Sequence, residues 1–97
     1  MYKVYVTPDA KDSLKNIKEY ILEKFTYKEY SKLVKEIDKI VKLIQKGNLK
    51  FKYSSKTEIQ KVVLHKNSSM YYRIKNDTIE ILFFWNNRMM EGKHKYE

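Results

Sequence analysis

The sequence predicts an α+β fold: a helical hairpin packed on a small, mostly antiparallel four-stranded sheet, in the order β-α-α-β-β-β. Three observations predict it. Apolar residues between positions 8 and 46 recur every three or four places, the helical period. On either side of that block they alternate, the strand period. The joints between these runs are short and carry turn residues. At 97 residues, 42% of them hydrophobic, the chain is sized for one small domain spanning 1–97, with a single core and no room for an elaborate buried site.

The first strand is YKVYV, residues 2 to 6, with Val4 and Val6 set against Lys3 and Tyr5. Thr7 then offers a side-chain oxygen as N-cap, Pro8 fixes φ at the first helical position, and Asp9 and Asp12 complement the positive end of the helix dipole. A helix over 8–25 follows, its buried stripe made by Leu14, Ile17, Ile21 and Phe25. A second, over about 28–46, repeats the rhythm through Leu33, Val34, Ile37, Ile40, Val41 and Ile44, and stops at Gly47. Residues 48–58 alternate weakly and are rich in lysine, which reads as a loop with a short extended piece. IQKVVLHK, MYYRIK and TIEILFFW are three further strands, the last two joined by a tight turn at Asn76 and Asp77.

Alternation assigns faces. In MYYRIK, Met70, Tyr72 and Ile74 share one face and Tyr71, Arg73 and Lys75 the other. In the last strand Ile79, Ile81, Phe83 and Trp85 fall together, with Glu80, Leu82 and Phe84 opposite. Helices covering one face are expected to bury the first set of each strand, leaving aromatic rings among cations on the other.

Composition limits the partners. The chain has 21 Lys+Arg against 12 Asp+Glu, a formal charge of +9, which favours an anionic partner. The excess leans toward the strand half: residues 8–46 hold ten lysines against seven Asp and Glu, residues 47–97 ten Lys and Arg against five. Without cysteine there is no disulfide framework and no thiolate chemistry. No apolar run is long enough to span a bilayer and no signal-peptide core opens the chain, so a soluble, cytoplasmic protein without membrane contact is expected. Two histidines far apart and no carboxylate cluster give no metal site, and two glycines give no phosphate-cradling loop; no cofactor is expected.

The order β-α-α-β-β-β, the opening YKVYVTPDA, the closing SSMYYRIKNDTIEILFFWNNR and the basic balance together resemble the RelE/ParE toxins of bacterial type II toxin–antitoxin systems. The resemblance runs from Tyr2 to about Met90 and is most specific at Tyr72-Arg73 and at Trp85-Asn86-Asn87-Arg88. Where family members commonly continue with Gln-Asn-Pro, Met89, Met90 and Glu91 stand here. The resemblance implies growth inhibition by one of two routes. ParE-like members act on DNA gyrase and show no nuclease activity, whereas RelE-like members are endoribonucleases that cut mRNA in the ribosome. Either kind is neutralised by an acidic antitoxin in a toxin–antitoxin hetero-oligomer.

A ribonuclease needs cations to stabilise the charge that develops at phosphorus and groups to move protons. Lys50, Lys52, Arg73 and Arg88 are the candidate cations; His65, His94 and Tyr96 are candidate acid/base groups, of which the last two lie where chains fray. His65 reads as a rim histidine at the end of a strand. Arg73, Arg88, Tyr71, Lys75 and Phe84 are the candidate contacts to target or antitoxin. Arg73 serves equally as a strand ion pair, and Arg88 equally as a structural arginine holding carbonyls or a carboxylate. If both are contacts, they are expected side by side at the edge of one groove. The reading favours a ParE-like gyrase inhibitor, because no fixed acid/base set stands before the C-terminal tail. A RelE-like ribonuclease is the alternative, and a non-toxic basic nucleic-acid-binding module a further one.

Overall fold

The computed structural model describes residues 2–47, 52–53 and 58–88. β1 (Lys3–Val6) runs parallel to β5 (Thr78–Asn86), with Val6 opposite Ile81. Thr7 ends the strand and starts the helix in one step. Its N–H donates to the Ile81 carbonyl at 3.1 Å, and its Oγ1 accepts from Ala10 N at 3.1 Å as the N-cap. The hydroxyl hydrogen is shared between the carbonyls of Ile81 and Leu82, at 3.0 and 3.1 Å. Helix α1 (Pro8–Lys24) buries Ala10, Ser13, Ile17 and Ile21. After a two-residue joint, α2 (Tyr27–Gln45) buries Leu33 and Ile44. It ends before Gly47, whose φ of +73° is the left-handed conformation that a residue without Cβ adopts freely. Both helices match their expected spans to within a residue at each end. No helix among the described residues is long and apolar enough to cross a membrane.

The sheet order is β1-β5-β4-β3-β2, with β2 (Lys52–Tyr53), β3 (Gln60–Val63) and β4 (Ser68–Lys75) antiparallel to their neighbours. The four expected strands are present, and two-residue β2 adds a fifth from the weakly alternating stretch. The β4–β5 turn at Asn76 and Asp77 has φ of 50° and 61°, both positive as a two-residue hairpin of the primed type requires.

β3 stops three residues earlier than its sequence suggests. Instead of strand, His65–Asn67 form a 3-10 turn in which Lys66 and Asn67 are left-handed, with φ of 56° and 60°. Asn tolerates that conformation and Lys does not, at a cost of about 1–2 kcal/mol. The turn is held from outside: the Asn86 amide donates to the Lys66 carbonyl at 2.7 Å and to Ser68 Oγ at 3.1 Å.

The larger correction lies within β5. Tyr71 stands opposite Phe83, but Tyr72 stands opposite Ile81, so Leu82 is an extra residue in a β-bulge. One inserted residue turns every later side chain to the other face. Phe84, expected on the outer face, is 2% exposed beneath the helices with Met70, Tyr72, Ile79 and Ile81. Phe83 and Trp85, expected there, instead join Tyr71, Leu82 and Ile59 in a second cluster on the opposite face. Polar residues satisfy the backbone of β5 where β1 no longer lines it. Thr7 takes the Leu82 carbonyl, and Phe84 N donates to Ser13 Oγ at 2.9 Å, whose own hydrogen goes to the Ala10 carbonyl at 3.0 Å.

Candidate functional site

Three elements converge at the end of the sheet where β5 leaves it. The 3-10 turn His65–Asn67 lies against the exit of β5: Asn87 N donates to the Asn67 carbonyl at 3.0 Å, and Arg88 N donates to Asn86 Oδ1, also at 3.0 Å. Buried Asn86 therefore uses its amide nitrogen on the turn and its oxygen on the exit, so that one side chain fixes both. The first half of α2 closes the third side. Glu36 accepts from the His65 backbone N–H, and Glu29 Oε2 accepts from His65 Nε2 at 2.7 Å. Lys66 Nζ lies 3.7 Å from the same oxygen and 4.5 Å from the Phe25 ring centroid. Lys32 is 3.8 Å from Glu29 Oε1. The His65 hydrogen bond, helped by Lys32 and Lys66, holds the Glu29 carboxyl below its ordinary value of 4.5 against the opposing effect of burial.

His65 is thus not a loose rim residue but one half of a carboxylate–histidine pair, which bridges 36 positions of sequence and which no local spacing announces. A carboxylate only accepts, so the pair places the ring proton on Nε2. Arg88 stands at this junction with its guanidinium exposed and without a partner among the described residues.

Arg73 is elsewhere. It lies opposite Glu80 and donates from Nε to Glu80 Oε1 at 2.7 Å, the ion-pair alternative for this residue. From its position to Ser68, the partner of Asn86, β4 runs five residues, about 17 Å at the usual rise per residue. Arg73 and Arg88 therefore occupy opposite ends of the β4–β5 hairpin, and the expectation that they share one groove edge fails. Lys75 is exposed at the Arg73 end. Tyr71 is 2% exposed, with Lys61 Nζ 5.7 Å from its ring centroid. Phe84 belongs to the helix-facing core and presents no surface to a partner. Lys52 sits in β2, in register with Lys61. Lys50, His94 and Tyr96 fall outside the described residues. The Tyr72 hydroxyl, pushed up to about 12 by burial, remains a neutral donor to Gln60 Oε1 at 2.8 Å. Among the described residues no three His, Cys, Asp or Glu side chains gather as metal ligands.

No protein-family model matches the sequence, and no curated protein matches it. Solved structures do. A chain of the chromosomal ParDE toxin–antitoxin system from P. aeruginosa superposes with a TM-score of 0.69 at 24% identity, over 89% of this chain and 96% of that one. The fold is that of the RelE/ParE toxins. A copper-bound mutant toxin from Helicobacter pylori matches with a TM-score of 0.61 at 11% identity, over 94% of this chain and 100% of that one. Within the RelE/ParE fold of this chain, the bulged β5 and the 3-10 turn before β4 set where Arg88 emerges.

Proposed function

We propose that this chain is the toxin of a type II toxin–antitoxin pair, a single ParE-like domain that inhibits growth in the cytoplasm by acting on DNA gyrase and is neutralised by an acidic antitoxin. The observation that carries the choice of target is that three of the described basic groups are already paired with carboxylates within the fold. His65 is committed to Glu29, Arg73 to Glu80 and Lys66 to Glu29, so that neither His65 nor Arg73 stands open as part of an acid/base set. Likeness to a chain of a ParDE system over nearly its whole length supports the toxin class. A charge of +9 supports an acidic partner.

A second reading has its own observation. The 3-10 turn brings His65 and Lys66 beside the strand exit that carries Arg88, so a histidine and two cations stand at one end of the sheet, the kinds of group that a RelE-like ribonuclease uses. The test applies the purified chain to two targets, gyrase with supercoiled DNA and translating ribosomes with a defined mRNA. Trapped DNA breaks or lost supercoiling with intact mRNA supports the gyrase reading. Ribosome-dependent mRNA cuts with unaffected gyrase overturn it in favour of the ribonuclease. Absence of both, together with unimpaired growth on induced expression, overturns the toxin class.

A further inference from the structure

All six lysines of the segment 27–46 fall on one line of α2. Lys28, Lys32, Lys35, Lys39, Lys42 and Lys46 are spaced alternately four and three residues apart, and every one of them is exposed. At about 3.6 residues per turn they occupy a sector of about 80° on the side away from buried Leu33 and Ile44, and along the axis they extend about 27 Å. No other residue of the helix enters that sector. The acids of α2 stand outside it. Glu29 and Glu36 turn toward the 3-10 turn, where both accept from His65, and Glu29 lies 3.8 Å from Lys32. Asp38 stands beside the row, 2.9 Å from Lys42 with both side chains 65% exposed, and an exposed pair of that kind neutralises little.

Like charges at these spacings repel along a helix, whereas mixed signs would hydrate the same face equally well and attract. The row costs the helix stability that an arriving polyanion returns. We propose that the lysine row of α2 is a docking surface for duplex DNA, its ammonium groups meeting backbone phosphates without reading bases. The row itself selects this occupant. A straight polycation matches a duplex that carries one negative charge per about 1.7 Å of its axis. The sector lacks the aromatic rings on which single strands stack, and it lacks the apolar anchors of a protein interface or of a helix lying in a membrane surface. Exposed Tyr27 and Val34 lie outside it, beyond Asp38. The choice of DNA over an RNA duplex rests on the gyrase reading, since that target works on duplex DNA.

The probe is a blunt DNA duplex of about two helical turns, longer than the row, titrated into the isotope-labelled chain. Single-stranded DNA, an RNA duplex of the same sequence and vesicles containing phosphatidylserine are the competing occupants. Resonance shifts should gather on α2 between residues 28 and 46 and spare the β4–β5 hairpin, with Arg73 and Lys75 at one end and Arg88 at the other. Affinity should fall with salt at a log–log slope of about −5, the value for six phosphates neutralised at about 0.9 each. Lys35→Gln combined with Lys39→Gln replaces two exposed lysines by a good helix former. It should melt like the parent, bind the duplex at least tenfold more weakly and bring the slope to about −3.6. Lys3→Gln combined with Lys75→Gln removes the same charge from the strands and should bind within threefold of the parent. Shifts centred on the hairpin, or parent-like binding by the folded Lys35 and Lys39 variant, overturns the proposal. So does tighter binding to the RNA duplex, the single strand or the vesicles. A chain that inhibits gyrase without binding the duplex sinks the row alone, whereas row-dependent DNA binding with unaffected gyrase supports the row and sinks the gyrase reading.

Discussion

Ser13→Ala isolates how the bulge in β5 is held. Ser13 is 3% exposed, and its Oγ accepts the Phe84 N–H at 2.9 Å in the buried seam between α1 and β5. Alanine keeps the helix and removes the acceptor, which leaves a buried backbone donor unpaired. Stranding such a group costs about 1–3 kcal/mol. Alanine returns roughly 0.5 kcal/mol through its better helix propensity. The net loss is then about 0.5–2.5 kcal/mol, and for a domain of this length about 4–8 °C of melting temperature goes with each kcal/mol. Thermal and urea unfolding followed by circular dichroism should place the variant roughly 2–20 °C below the parent by the same scaling. Asn16→Ala, an exposed change on the same helix, should stay within about 0.5 kcal/mol. A Ser13→Ala protein as stable as Asn16→Ala would refute the reasoning, because the Phe84 amide would then have another partner.

The register of the bulge predicts a contrast between neighbours: Phe84→Ala should cost about 3–5 kcal/mol as a core truncation, and half-buried Phe83→Ala clearly less, in the same unfolding assay. The reverse order would restore the unbulged alternation. Arg88→Ala should leave the melting temperature within the range of ordinary surface changes while reducing growth inhibition on induced expression; a loss of about 3 kcal/mol would instead mark a buried, structurally paired guanidinium. Glu29 gives a pH signature. Its folded carboxyl is held below 4.5 chiefly by His65, so its contribution is complete above the unfolded value and is lost as pH falls through the lower folded one. Glu29→Gln should therefore lower the melting temperature at neutral pH and converge with the parent in acid, and a gap that persists unchanged to pH 3 would contradict the pairing.

The elements of this protein were legible in its sequence because each rests on local chemistry. Helical period, Thr7 and Pro8 at the start of α1, Gly47 after α2, and the Asn76-Asp77 turn are properties of a few adjacent residues, and all four stand where local rules put them. The faces of β4 were legible for the same reason, through strict alternation of Met70, Tyr71 and Tyr72. The bulge was not. IEILFFW reads equally well in unbroken alternation, and what favours an extra residue at Leu82 is the meeting of β5 with Thr7 and Ser13, more than 70 positions away. That single insertion exchanged Phe84 for Phe83 and Trp85 between core and outer face. It removed Phe84 from the candidate contacts. Tertiary structure likewise decided the ionisable groups. Arg73 found Glu80 across a hairpin, His65 found Glu29 across the two layers, and Arg88 was left exposed at the end remote from Arg73. Spacing along a chain gives the face a side chain occupies, whereas a charge partner depends on which elements lie against one another, and only the assembled fold specifies that.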